Sequence, residues 1–169
     1  MNKDEQLLYA DHIRRFYTLR YGFPPMVGRL LGYLFVCIPE KQSMSELADA
    51  LMASRSAIAG AVQTLENYHL VNRTRAAGQR SDSISINPAG IEGKGFDVTV
   101  YQEQAALFRE GLNALKDEGQ DSRISLLEEA AALAEFLAEQ IPALHKEWYK
   151  RRDALRRNHS KEMRKDVVQ

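Results

Sequence analysis

The sequence predicts a mostly α-helical protein with one small antiparallel β-hairpin. Ser43 and Glu46 have the S-x-x-E spacing of a helix capping box, and apolar residues follow at helical spacing. A second helix is predicted to start at Ser54, and two strand-like segments, 69–75 and 83–86, then enclose a short basic loop. Two close helices followed by a hairpin are typical of a winged helix-turn-helix.

Further helices are predicted before this region. Apolar residues of segment 4–20 fall near one helical face, and Gly22 follows them. Proline is tolerated in the first turn of a helix, so a second helix is expected to open near Pro25 and to run to about Cys37.

The region after the winged helix is predicted to consist of a joint and two long helices. Glycines in 87–95 indicate a flexible joint, and apolar residues then repeat every three or four positions in 101–115 and 126–148. Pro142 is expected to kink or break the second of these helices. Such long apolar stripes need a partner, and a second copy of the chain is the simplest one.

These patterns divide the chain into three parts. We expect residues 1–21 to form an N-terminal dimerisation helix, residues 22–90 a DNA-binding winged helix-turn-helix, and residues 91–169 a C-terminal helical dimerisation region. A length of 169 residues and an apolar fraction of 44% agree with one compact domain plus a helical extension.

Charge is distributed unevenly, although the net charge is zero. Residues 52–80 hold four arginines and one glutamate, residues 101–139 hold nine acids and three bases, and residues 145–166 hold nine bases and four acids. A basic face beside an acidic body would orient a protein on DNA. The alternative for the basic residues of 145–166 is that they form a solvated helix face, and the two interpretations have about equal support.

The second helix of the motif is the predicted DNA-reading helix. Its N-terminal residues would reach furthest into the major groove. Arg55 suits guanine and Gln63 suits adenine, whereas Ser54 and Ser56 suit phosphates. Small residues would allow close approach of the backbone or of a thymine methyl group; these are Ala57, Ala59 and Gly60. The alternative is that this small-residue segment only packs on a neighbouring helix.

The basic loop between the strands is the predicted wing. It would place arginines against the DNA backbone or in a narrow minor groove. The expected contact residues are Arg73, Arg75, Gln79 and Arg80. The alternative is a solvated hairpin with surface arginines.

The stretch SELADALMASRSAIAGAVQTLENYHLV, followed by Gly78-Gln79-Arg80, resembles the MarR superfamily. The glycine-rich segment 21–34 is similar to the GbsR-like branch of that superfamily. The resemblance covers about residues 20–90, and it implies a homodimeric repressor or activator that is often tuned by a small ligand. Ala59-Gly60 and His69 depart from the pattern, since many relatives have polar or basic residues at the first site and glycine at the second.

The sequence disfavours several other classes of protein. The sequence has no glycine-rich phosphate loop, no G-x-S-x-G and no paired-cysteine zinc spacing, so no catalytic residue, metal site or cofactor is predicted. No segment reaches the roughly 18 apolar residues of a membrane helix, and acids stand where a signal peptide needs positive charge. A cytoplasmic protein is expected. Cys37 is expected to pack in an apolar helix rather than to act as a redox sensor, because buried cysteines are more often packing residues.

The expected partners are double-stranded DNA, a second copy of the chain and, if one exists, a small-molecule effector. Crevices between domains are common ligand sites. The candidate walls of such a site are Phe16, Leu19, Tyr33, Cys37, Tyr101 and Phe108, although core packing is the simpler role for each one.

Two functions from different classes remain open. The first is a sequence-specific transcriptional regulator that binds a pseudo-palindromic operator as a homodimer. The second is a winged helix that contacts another protein and has no specific DNA site. The small polar content of the reading helix, with Arg55 and Gln63 as its main readers, is what favours the second.

Overall fold

The computed structural model describes residues 1–75, 81–115 and 122–166, without the side chains of Lys94 and of residues 159–166. The elements are α1 (Lys3–Tyr21), α2 (Pro25–Leu34), β1 (Gln42–Ser43), α3 (Met44–Leu51), α4 (Arg55–Asn67), β2 (Val71–Thr74), β3 (Ser83–Ile86), α5 (Pro88–Lys94), α6 (Thr99–Leu115) and α7 (Ser122–Asp166). The chain divides into two compact units, residues 1–93 and 94–169, and each is described by itself.

The helix-turn-helix of the first unit consists of α3 and α4. The predicted capping box is present, because the Ser43 amide donates to Glu46 Oε2 at 2.7 Å and the Glu46 amide donates to Ser43 Oγ at 3.2 Å. Hydrogen bonding of its carboxylate to the Ser43 amide, and then to the Ser43 side chain, holds the pKa of Glu46 below its usual value. The turn between the helices passes through Met52 in the left-handed conformation, with φ 52°.

The hydrophobic core of the first unit lies between α2, α3, α4 and the sheet. Its largest fully buried side chains come from all four elements: Leu30, Leu31, Leu47, Leu51, Ile58, Val62, Leu65 and Ile84. The apolar face predicted for α4 is therefore the face that packs, and this fixes which residues point outward.

The sheet has three strands in the order β1-β3-β2, all antiparallel. The predicted hairpin pairs Val71 with Ile86 and Thr74 with Ser83. The sequence did not indicate β1, which has only two residues and pairs Gln42 with Ile84. The fold class is confirmed, with one short strand added to the hairpin.

Helix α1 packs on α2 at very short distance. A Cβ atom added at Gly32 would lie 2.8 Å from the Ala10 Cα, and one added at Gly28 would lie 2.9 Å from the Arg14 Cα. Arg29 adds polar contacts, since its Nε lies 3.1 Å from Asp11 Oδ1 and its Nη1 donates to the Leu51 carbonyl at 3.2 Å. The first unit thus includes α1 together with the helix-turn-helix.

The predicted flexible joint at 87–95 is wrong for residues 88–94, which form helix α5. Asn87 Nδ2 donates to the His69 carbonyl at 2.9 Å. A Cβ atom at Gly90 would lie 1.7 Å from that same carbonyl oxygen. Gly90 is therefore needed for close packing on the His69 backbone rather than for a bend.

The second unit contains the predicted pair of long helices, α6 and α7, packed antiparallel. Arg109 forms two hydrogen bonds of 2.8 Å with the Glu135 carboxylate, and Gly111 faces Leu127. Hydrogen bonding to the guanidinium lowers the pKa of Glu135. Among the described residues of this unit, the buried apolar side chains are Ala105, Ala131, Ala134 and Ile141.

The expected break at Pro142 does not occur, since α7 continues as a helix through this position to Asp166. The predicted break is therefore wrong, whereas a kink at Pro142 stays a prediction. Several large apolar side chains of α6 and α7 are more than half exposed in the single chain, namely Leu107, Leu126, Leu133, Phe136, Leu144 and Leu155.

Candidate nucleic-acid interface

The outer face of α4 carries all seven residues predicted to read DNA. Ser54, Arg55, Ser56, Ala57, Ala59, Gly60 and Gln63 are exposed. The opposite face is buried in the core of the first unit. The predicted separation of a core face from an outward face is therefore present in the structure.

The first turn of α4 has the geometry of an anion site. Ser54 is the N-cap, and its Oγ accepts a hydrogen bond from the Ala57 amide at 3.1 Å. The Ser56 hydroxyl lies 3.0 Å from that of Ser54. The amides and dipole of a helix N-terminus favour a phosphate. The Ser54 oxygen already caps the helix, so Ser56 is the better placed of the two serines for a phosphate.

Arg55 projects from this first turn and makes one long contact with a side chain of α3. Its Nη2 lies 3.4 Å from Ser45 Oγ, across the helix-turn-helix. This contact to Ser45 was not foreseen from the sequence, where the S-x-x-E pattern drew attention to Ser43 and Glu46 instead. Since one weak hydrogen bond engages only part of a guanidinium, Arg55 keeps donors for a base edge.

Gly60 lies in the middle of the exposed face and is not required by packing. A Cβ atom at this position would meet nothing within 4 Å. Glycine in a helix interior costs roughly 1 kcal/mol relative to alanine. Packing on a neighbouring helix therefore does not account for Gly60.

Two turns from Arg55, Gln63 Nε2 donates to Asn67 Oδ1 at 3.1 Å.

We expect Gly60→Ala to stabilise the protein by roughly 0.5–1 kcal/mol, measured by urea unfolding, because the new methyl group meets open space. If α4 approaches DNA closely at this point, the same variant binds DNA more weakly. Gly93→Ala in α5, where an added Cβ atom also meets nothing within 4 Å, is the matched control for loss of a helical glycine outside α4. A more stable variant with unchanged DNA affinity would contradict close approach at Gly60.

The described part of the wing contains more ion pairs than the sequence indicated. Arg75 Nε lies 2.7 Å from Asp82 Oδ1, and Arg73 Nη2 lies 2.7 Å from Glu66 Oε2. Arg73 Nη1 also lies 3.9 Å from Asp82 Oδ2. The sequence did not indicate this pairing, because Asp82 lies just beyond the basic stretch 52–80. Gln79 and Arg80 lie outside the described residues.

The six candidate effector residues do not share one environment. Tyr33 and Cys37 belong to the core of the first unit, where burial raises the pKa of both side chains. Phe16 and Leu19 are exposed on α1, while Tyr101 and Phe108 are half-buried on α6. Packing accounts for Tyr33 and Cys37, and an effector role for any of the six stays a prediction.

Other kinds of site find little support in the described ranges. Within residues 1–75, 81–115 and 122–166, no group of three or more histidine, cysteine or acidic side chains is arranged to hold a metal ion. The described helices also include none whose length and apolar character would suffice to cross a membrane.

A winged helix with an outward-facing second helix defines a class of nucleic-acid-binding folds. Residues 97–151 match a family model described as MmpR5-like MarR family transcriptional regulator. The HTH-type transcriptional regulator MmpR5 of Mycobacterium tuberculosis is 38% identical over 93 residues, which is 54% of this chain and 56% of that protein. The match therefore spans little more than half of the length of this relative.

A crystal structure of a transcriptional regulator is similar to the chain over most of its length. Its TM-score is 0.71 at 27% identity, and the match covers 86% of this chain and 99% of the other. The chain is thus similar to MarR-family transcriptional regulators. The family-model match lies in α6 and α7, so it is independent of the motif at residues 20–90. The relatives are regulators, which confirms the prediction that the chain is not an enzyme.

Proposed function

We propose that the chain is a sequence-specific transcriptional regulator that binds a pseudo-palindromic DNA operator as a homodimer. The observation that carries this proposal is the outer face of α4. It is exposed along its length, begins at a helix N-terminus, and contains a glycine that packing does not require. These are the properties of a helix that enters a major groove.

In this proposal, each kind of side chain on α4 has a separate task. Arg55 donates two hydrogen bonds to guanine O6 and N7, and Gln63 pairs with adenine. Ser56 and the first-turn amides hold a phosphate and so fix the position of the helix. In a symmetric dimer the two copies of α4 are spaced about 34 Å apart, which sets half-sites about ten base pairs apart.

The direct experiment is selection of bound fragments from a genomic library, followed by titration of binding with salt. A regulator gives saturable binding to a shared sequence, and its affinity for that sequence exceeds its affinity for a scrambled duplex at every salt concentration. Binding that is equal for both duplexes would reject sequence-specific regulation.

A second candidate function is a protein-interaction module without a specific DNA site. The ion pairs of Arg73 and Arg75 favour it, because they reduce the positive charge that the described part of the wing offers to DNA. Failure of the genomic selection would favour this function over the first.

We predict that the protein is a homodimer held by residues 1–20 and 96–148. The exposed apolar side chains of α6 and α7, together with Leu8, Phe16 and Leu19 on α1, support an apolar interface. Light scattering at micromolar concentration is expected to give twice the 19.2 kDa mass of one chain. A Leu133→Glu variant should shift that mass toward the monomer, whereas Leu155→Glu, beyond residue 148, serves as the control. A monomeric native chain would contradict this prediction.

We predict that Arg75→Ala weakens binding to all DNA sequences about equally. Loss of one phosphate contact lowers the slope of log affinity against log salt by about one unit. Asp82→Asn is the opposing variant, because removing the carboxylate frees Arg75 and raises DNA affinity. The expected wing contacts also include Arg80, which lies outside the described residues, and Arg80→Ala should act like Arg75→Ala. Unchanged affinity and slope in both alanine variants would reject the wing assignment.

The remaining parts of the proposal rest on sequence similarity. The GbsR-like branch stays a prediction from the glycine-rich segment 21–34. A small-molecule effector is proposed because the family resemblance implies one, and the six candidate residues define where to look. A cytoplasmic location follows from the proposed role, since a regulator must reach its DNA.

A further inference from the structure

The last part of α7 carries a concentration of exposed positive charge. Between residues 146 and 158 there are six lysines and arginines and two acids. The acids have partners nearby, since Glu147 Oε1 lies 3.2 Å from Arg151 Nε and Asp153 Oδ1 lies 3.2 Å from Arg152 Nη2. Exposed pairs of this kind are weak, so an external anion competes with them easily.

Three of the cations form a stripe along the helix. At 3.6 residues per turn, Lys146, Lys150 and Arg157 fall within about 40° of one another, and all three are exposed. We call these three residues the basic stripe. Lys150 Nζ also lies 3.9 Å from Glu147 Oε2, and both side chains are more than half exposed. The stripe covers about 16 Å along the helix axis.

The basic stripe lies on the side of α7 that does not pack. The packed side is marked by Ile141, which is buried, and by the half-buried His145 and Trp148. His145 stacks between Phe96 and Tyr149, with ring centroids 4.5 and 4.4 Å away. On the helical wheel this side lies about 150° from the stripe, so the stripe faces away from the α6–α7 pair.

The register of the two helices shows that this part of α7 extends beyond α6. Arg109 contacts Glu135, Gly111 faces Leu127, and Phe96 stacks on His145. In an antiparallel pair, residues after about 148 therefore lie beyond the start of the second unit at Lys94. Arg157 thus belongs to a segment that the hairpin itself does not cover.

We propose that the basic stripe binds the sugar-phosphate backbone of duplex DNA without reading its sequence. Duplex DNA carries one negative charge per roughly 1.7 Å, so about ten charges lie along the length of the stripe. An anionic membrane surface fits less well, because a helix that lies on a membrane buries an apolar face opposite its cations. In α7 the residues on that opposite face, Ile141, His145 and Trp148, already pack inside the second unit. The inference rests on the proposed function for its choice of DNA as the partner.

The test is a triple variant of the full chain, Lys146→Gln/Lys150→Gln/Arg157→Gln. Its binding to a selected operator and to a scrambled duplex of equal length is measured by fluorescence anisotropy between about 50 and 250 mM salt. We expect the salt slope to fall by about two to three units for each chain whose stripe contacts the duplex, on both duplexes, with the ratio of the two affinities unchanged. Circular dichroism and light scattering verify that the variant keeps its fold and mass.

A control removes an exposed charge outside α7 and outside the predicted dimer interface, as Lys41→Gln. An unchanged slope in the stripe variant, or an equal fall per removed charge in the control, would overturn the proposal. Loss of binding to phosphatidylserine vesicles with an unchanged DNA slope would also overturn it, in favour of a membrane. Failure of the proposed function gives a different result from failure of the stripe. If the proposed function fails, the wild-type chain shows no preference for the operator. The salt slope on the scrambled duplex still tests the stripe in that case.

Discussion

Arg55→Ala is expected to bind the operator more weakly by about 1–3 kcal/mol and to lose base preference at one position in each half-site. The reason is that Arg55 is the charged residue on the exposed first turn of α4, where side chains reach furthest into the groove. Its single 3.4 Å contact to Ser45 leaves other guanidinium donors available for guanine. Selection of binding sites with each variant measures the base preference directly.

Lys41→Ala provides the control, because Lys41 is an exposed cation between α2 and β1, outside both the reading helix and the predicted dimer interface. Its affinity should change little, and its selected sites should equal those of the wild type. Gln63→Ala, two turns along α4, should have an intermediate effect. If Arg55→Ala retains full affinity and the same selected sequence, the reading role of α4 is wrong and the protein-interaction function gains support.

Gly90→Ala is expected to destabilise the protein by roughly 1–3 kcal/mol, the usual cost of forcing a methyl group into a packed site. The added Cβ would lie 1.7 Å from the His69 carbonyl oxygen, so the backbone of α5 or of the α4–β2 connection must move. That movement would also weaken the 2.9 Å hydrogen bond from Asn87 to the same carbonyl. Urea unfolding followed by circular dichroism measures the loss.

The same helix offers a control in Gly93→Ala, since a Cβ atom there meets nothing within 4 Å. Its free energy of unfolding should stay the same or rise by up to about 1 kcal/mol. Equal destabilisation of the two variants would mean that loss of glycine in α5, rather than contact with His69, is responsible.

Helix caps and apolar spacing made most of the first unit predictable. The Ser43–Glu46 capping box is local in sequence, so its hydrogen bonds depend on few other parts of the chain. The inward face of α4 was predictable because Ile58, Val62 and Leu65 can all be buried only on one side of a helix. The positions of the outward candidates, Arg55 among them, followed from the same geometry.

Features that depend on contacts distant in sequence were not predictable. Glycines in 87–95 indicated a joint, yet packing of Gly90 on His69 places this segment in a helix. Strand β1 has too few residues for a periodic pattern and is defined by its pairing with β3. Pro142 lacks an amide donor, but this loss does not interrupt a helix as long as α7.

The candidate site shows the same division between local and distant information. The exposed residues of α4 were expected, whereas the partners that restrain the arginines were not. Asp82 approaches Arg73 and Arg75 only when β2 and β3 pair, and Ser45 approaches Arg55 only across the helix-turn-helix. The charge available for DNA is therefore smaller than a count of arginines in the sequence suggests.

Arg29 has a consequence for how binding could be regulated. It contacts Asp11 on α1 and the Leu51 carbonyl at the end of α3, while Gly28 and Gly32 bring α2 into close contact with the α1 backbone. We therefore expect the N-terminal helix and the helix-turn-helix to move together as one body. A signal that reaches α1 would not reshape the reading surface. It would instead change the distance and angle between the two reading helices of a dimer, and so their match to successive turns of DNA.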